Sequence, residues 1–126
     1  MKAAGIENYE TVGSFTGAEL ELITCQHPFL DRDSLVIVGD HVTLDAGTGC
    51  VHTAPGFGAE DYMVCQNYDQ LEIVVPVDAK GYQTEDAGEF AGLYYEESNE
   101  KILNNLKESG ALLATQEIVH QYPHCW

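Results

Sequence analysis

The chain has 126 residues, 44% of them apolar, which suits one domain or part of one and excludes low-complexity disorder. Its 21 acidic and 5 basic residues give a formal charge of −16, so it repels a phosphate backbone, and any nucleic-acid partner has to be held by another part of a larger protein. The longest apolar runs, 35–38 and 73–77, fall far short of the roughly 18 residues a membrane helix needs, and no basic segment followed by an apolar one marks a signal peptide, so no membrane or export is expected.

Residues 1–17 are mixed and polar, without a clear period. Glu19 to Cys25 alternates apolar and polar, which predicts a strand. Gln26 to Asp33 holds His27-Pro28, a turn or edge signal. Ser34 to Val38 is a short β-branched run, Gly39-Asp40 signals a turn, and His41 to Leu44 follows, so a hairpin is expected there. Residues 45–49 form a tight turn, and Cys50 to Thr53 reads as a strand stopped by Ala54 to Gly58. Ala59 to Tyr68 predicts a short helix with Glu60 and Asp61 in its first turn, where the helix dipole favours acids. Glu72 to Val77 predicts another strand, and Asp78 to Gly92 a polar loop. Glu96 to Ser109 is the clearest helix: Ile102, Leu103 and Leu106 share a face, Ser98 or Asn99 caps the start, and Gly110 ends it. Leu112 to Val119 predicts a last strand. About six strands and two helices point to an α+β domain with a bent or barrel-like sheet.

The densest patch runs from Gly47 to Asp61, with Gly47, Gly49, Gly56 and Gly58 inside twelve residues. A strand delivers His52 to a loop, and the loop enters a helix bearing Asp61. Strand–loop–helix junctions commonly carry binding side chains. The same residues also read as a glycine-rich corner with a capping acid and one core histidine. The string is not a P-loop, since it lacks Gly-Lys-Ser/Thr. Two acids in the first turn repel phosphate and suit a cationic group such as an ammonium.

Gly47 to Tyr62, reading Gly-Thr-Gly-Cys-Val-His-Thr-Ala-Pro-Gly-Phe-Gly-Ala-Glu-Asp-Tyr, resembles the signature of the editing domain of isoleucyl-tRNA synthetases. Pro28-Phe29-Leu30-Asp31-Arg32, and Val75-Pro76-Val77-Asp78 with Gly81, fit the same family in the same order. Tyr122-Pro123-His124-Cys125-Trp126 resembles the return of that insertion to the catalytic core. Residues 1–126 are then a single partial domain, the C-terminal part of the editing (connective-peptide) domain.

The resemblance implies a barrel-like editing fold and a hydrolytic activity in the intact enzyme. One methylene in an apolar pocket discriminates by only about 1–3 kcal/mol, a limit for which this synthetase is the standard illustration. A second site therefore clears valine from mischarged valyl-tRNA(Ile). By the resemblance, Asp61 holds the substrate α-ammonium and orients the ester, His52 lines and limits the amino-acid pocket, and Thr53 and Gly56 belong to the binding loop. The implied partners are the acceptor end of tRNA(Ile) carrying valine and the rest of the synthetase chain. The implied location is cytoplasmic. No metal or cofactor is expected in this segment, while ATP and magnesium belong to the parent's catalytic core.

Phe57 departs from the family, which more often has histidine there. The threonine-rich segment that completes the family pocket has no counterpart, and neither do the His-Ile-Gly-His and Lys-Met-Ser-Lys-Ser strings of the aminoacylation core. The segment alone is therefore expected to be weak or inactive. The alternatives are a non-catalytic folded piece and a free-standing trans-editing deacylase.

Other constellations carry less. Cys25, Cys50, Cys65 and Cys125 contain no CxxC pair and read as free thiols. His120, His124 and Cys125 are zinc-type ligands, but only three cluster and Pro123 intervenes. Cys50 or Cys65 with His52 is a formal nucleophile pair. A small buried cysteine explains Cys50 as well.

Overall fold

The computed structural model describes residues 4–45, 47–117 and 119. The element order is helix α1 (Gly17–Leu20), strands β1 (Thr24–Gln26) and β2 (Asp33–Leu35), helix α2 (Ala59–Cys65), a 3-10 segment (Glu85–Phe90) and helix α3 (Tyr95–Glu108).

The six-stranded barrel-like core expected from the sequence is not formed: among the described residues the sheet has two antiparallel strands, β1 and β2. Strand propensity is satisfied only when a neighbouring strand completes the hydrogen-bond ladder. Residues 41–44, 50–53 and 112–117 have β-branched or alternating patterns but no ladder partner here. Of the expected strand 72–77, only Val77 pairs, in an isolated bridge to Gln83.

The hairpin also lies one segment earlier than expected. Thr24 pairs with Leu35, Cys25 with Ser34 and Gln26 with Asp33. His27 N–H donates to the Arg32 carbonyl at 2.9 Å and closes the loop between the strands. The expected strand over Glu19–Cys25 is replaced at its start by α1. There the Thr16 amide and hydroxyl donate to the Glu19 carboxylate at 2.7 and 2.8 Å. This local acid–threonine closure wins over the alternating pattern, and the Thr16 amide, then its hydroxyl, hold the Glu19 carboxyl below its usual range.

Residues 76–95, expected mostly as strand end and polar loop, form a unit closed by local hydrogen bonds. Asp78 Oδ1 accepts from the amides of Lys80 and Tyr82 at 2.8 and 2.9 Å. That side-chain turn reverses the chain and lets Val77 bridge Gln83 and Tyr82 bridge Tyr94. The small core forms against it: Ala87, Phe90 and Ser98 are buried, and Val64 on α2 is buried separately. Phe29, from the hairpin loop, meets Phe90 edge-on at 5.2 Å, and His27 meets Phe29 edge-on at 4.6 Å.

α3 lies where the periodicity places it, but Ser98 does not cap it. Tyr94 is the N-cap residue. Ser98 is fully buried, donates to the Tyr95 carbonyl at 2.7 Å and accepts from Gln83 Nε2 at 2.9 Å. Of the expected apolar stripe, Ile102 and Leu106 are half-buried and Leu103 is exposed.

The chain exposes 10655 Å², whereas a compact monomer of 13.8 kDa exposes about 6,600 Å². Most of its apolar side chains are therefore left uncovered, Val12, Phe15 and Leu44 among them. None of the described helices is long and apolar enough to cross a membrane.

Candidate functional site

The glycine-rich patch is built as a corner. Gly47 and Gly49 adopt φ of +62° and +78°, a left-handed conformation that L side chains resist. Thr48 lies between them, and its Oγ1 donates to the Cys50 carbonyl at 3.1 Å. Residues 50–53 do not form the expected strand. Cys50 and His52 are exposed, and Thr53 and Ala54 half-buried.

The turn 54–57 is closed by the Phe57 amide, which donates to the Ala54 carbonyl at 2.9 Å. Gly58 is the N-cap of α2, and Asp61 is the third residue of the helix. Asp61 reaches back over the turn, and its Oδ2 accepts from the Ala54 amide at 2.9 Å. Ala54 is thus held through both its carbonyl and its amide. Asp61, half-buried, has only Oδ2 engaged among the described residues. Its other oxygen retains acceptor capacity.

The corner is braced from below by residues 73–75. A Cβ on Gly56 would lie 2.6 Å from Val75 Cγ2 and 3.2 Å from the Val74 carbonyl oxygen. Glycine at 56 therefore answers a close backbone approach, and its position puts the loop directly on this segment.

The histidine expected in the site has a neighbour that the sequence reading did not single out. Burial, then Arg32, then His52 push the His27 imidazole below its ordinary pKa. His27 Nδ1 accepts from the Leu30 and Phe29 amides at 3.1 and 3.4 Å, which fixes the ring. His52 is thus close enough to the hairpin loop for its charge to act on His27.

Of the four residues expected in the site, Asp61 and Gly56 are built into the corner. Thr53 lies one residue before its hinge, and His52 projects as an exposed side chain. The residues missed were Ala54 and Gly58, which set the Asp61 carboxylate, and His27. Gly58 gave no signal of its own, because glycine is among the residues commonly found at an N-cap.

The cysteine–histidine pair finds no support. Burial, then Asp61, push the Cys65 thiol up, the wrong direction for a nucleophile. Cys25, Cys50 and Cys65 are free thiols. No group of three or more His, Cys, Asp or Glu among the described residues is arranged to hold a metal ion. His120, His124 and Cys125, and the closing 122–126 string, lie outside the described residues.

No family model matches the chain. It is 60% identical over 126 residues to "Isoleucine--tRNA ligase" from Caldicellulosiruptor bescii, covering 100% of this chain and 14% of that protein. It is 55% identical over 125 residues to the enzyme of that name from Thermoanaerobacter sp. strain X514, covering 99% and 13%. With the Moorella thermoacetica enzyme the identity is 51% over 126 residues, covering 100% and 13%. The chain thus spans about one seventh of the length of these relatives.

Proposed function

Since this chain belongs to the isoleucine–tRNA ligase family, as a segment of it, we propose that it contributes the ammonium-binding corner of the editing site. In the intact ligase this site hydrolyses valyl-tRNA(Ile).

One observation carries the reading: the Asp61 carboxylate is fixed through Oδ2 to the Ala54 amide. A carboxylate immobilised through one oxygen offers the other to a cation. A substrate α-ammonium there makes a charge-assisted hydrogen bond, which is shorter and stronger than a neutral one. The ammonium and the ester carbonyl of an aminoacyl-tRNA are separated by a single carbon, so anchoring the first places the second. Water then adds to that carbonyl, the bond to the ribose oxygen breaks, and the water's proton leaves with the ribose hydroxyl. The contribution of Asp61 is positioning of the reacting ester. His52 supplies bulk at the pocket mouth and so contributes to the size limit.

The tRNA is held elsewhere in the ligase, because a segment of net charge −16 has no counterion-release term to offer a phosphate backbone. The parent's ATP and magnesium likewise belong outside this segment.

The test is deacylation of valyl-tRNA(Ile) and isoleucyl-tRNA(Ile) by the purified 126-residue chain beside the full-length ligase. Selective loss of valine with the full-length enzyme is expected, and little or none with the chain alone, whose surface lies largely uncovered. Equal clearance of both esters by the full-length enzyme would remove the editing assignment.

A further inference from the structure

We propose that Gly58 is a positioning residue for Asp61: the absence of a side chain at the helix N-cap leaves the space through which the carboxylate reaches the Ala54 amide. The proposal rests on the reading of Asp61 as the ammonium-binding group, and its test separates the two.

Glycine at 58 is not there for its backbone. Its φ of −139° and ψ of 138° are extended values that any residue adopts. It also forgoes the side-chain cap that serine, threonine or aspartate would give the helix. The reason lies in what surrounds it. A Cβ at 58 would sit 3.0 Å from Asp61 Cγ, 3.1 Å from Oδ2 and 3.3 Å from Oδ1. All three nearest atoms belong to one carboxylate.

What yields to such a Cβ follows from the bonds around it. The turn backbone is tied by Phe57 N–H to the Ala54 carbonyl at 2.9 Å, and the helix start by Tyr62 N–H to the Gly58 carbonyl at 2.9 Å. The carboxylate hangs on two torsions and one 2.9 Å bond. Asp61 therefore gives way by a few tenths of an ångström, which lengthens its bond to the Ala54 amide and turns its free oxygen away from the substrate ammonium. At Gly56 the outcome differs, because a Cβ there meets a backbone carbonyl and moves the loop itself.

The test uses the full-length ligase with Gly58→Ala, Asp61→Ala and the double variant. Two substrates are compared: valyl-tRNA(Ile) and the same tRNA esterified with the α-hydroxy analogue of valine, which lacks the ammonium. Gly58→Ala is expected to lower kcat/KM for valyl-tRNA deacylation by up to about 10-fold, less than the roughly 100-fold that a full ångström of misplacement costs. Isoleucine-dependent aminoacylation should stay unchanged. On the α-hydroxy ester the variant and the parent should run alike. The double variant should match Asp61→Ala alone, since two changes acting through one group do not add. Gly58→Ser brings the same Cβ together with a helix-capping hydroxyl, so it retains the fold and should show the same pattern. Wild-type clearance by Gly58→Ala or Gly58→Ser, or equal loss on both esters, overturns the proposal. If instead Asp61→Ala clears valyl-tRNA normally, the ammonium reading itself fails.

Discussion

Asp61 on α2 and Ala54 in the preceding turn are joined by a 2.9 Å hydrogen bond from the Ala54 amide to Oδ2. The bond spans seven residues and makes the helix start and the glycine-rich loop one rigid corner. A helix acid that stabilises its own N-terminus normally binds the amides of that helix. Asp61 serves the loop instead, and this sets the direction of its remaining oxygen.

His27 makes the hairpin loop sensitive to acid. Burial, then Arg32, then His52 lower its pKa from 6.5. A lowered folded pKa means that the unfolded state binds the proton more readily. The contribution to stability is complete above pH 6.5 and is lost as pH falls through the lower folded value. Protonation also places N–H on Nδ1, which accepts from the Leu30 and Phe29 amides. Nuclear magnetic resonance titration should give His27 a midpoint below that of an unfolded-peptide histidine, with faster amide exchange at Leu30 as it charges. A midpoint at or above 6.5 contradicts this account.

Ser98 binds the 76–95 unit to α3. Its hydroxyl accepts from Gln83 Nε2 at 2.9 Å and donates to the Tyr95 carbonyl at 2.7 Å. Ser98→Ala should destabilise by about 1–2 kcal/mol, because the Gln83 amide loses its partner in a half-buried place. Thermal unfolding of the full-length ligase variant checks this, and an unchanged midpoint would show that solvent replaces the hydroxyl.

Gly110 ends α3 with φ of +75°. Its amide donates to the Lys107 carbonyl at 3.2 Å, and the Leu112 amide to the Leu106 carbonyl at 3.0 Å. A Cβ there meets nothing within 4 Å, so Gly110→Ala isolates the cost of a left-handed conformation, about 1 kcal/mol. Gly110→Asn should cost less, since asparagine tolerates that region. Equal unfolding free energies for the two variants would count against a conformational origin.

Tyr68 ties together three distant pieces of chain. Its hydroxyl donates to Glu21 Oε1 at 2.6 Å and accepts from the Val38 amide at 3.1 Å. The Glu21 bond is the chief cause that raises the Tyr68 pKa. Tyr68→Phe should cost no more than about 1 kcal/mol, as the bonds are near solvent. Ultraviolet titration of the parent should show a tyrosine that ionises above the free-phenol range, and Tyr68→Phe should remove that component.

Helices α2 and α3 were legible because their signals are local, whereas α1 and the 3-10 segment were read as strand and loop. The apolar period and Gly110 mark α3 within a residue, and Gly58 to Asp61 mark the start of α2. The strands were misread because a strand is completed by a partner far away in sequence. Cys50 to Thr53 is β-branched enough to be one, yet nothing described here pairs with it. Glu19 to Cys25 alternates, but the four-residue Thr16–Glu19 closure captured its start. Within the site, Asp61 stood out by residue type and motif. Its bond to Ala54 did not, because that depends on how the turn through Pro55 and Gly56 folds back. Gly58 was not legible as a site residue, because glycine is an ordinary N-cap and its part here depends on the position of the Asp61 carboxylate.

The most direct test of the account is deacylation of valyl-tRNA(Ile) by the full-length ligase carrying Asp61→Ala, beside the parent enzyme. The account predicts that clearance of valine is lost while aminoacylation with isoleucine is retained. Clearance at the parent rate would contradict it and return this corner to a purely structural role.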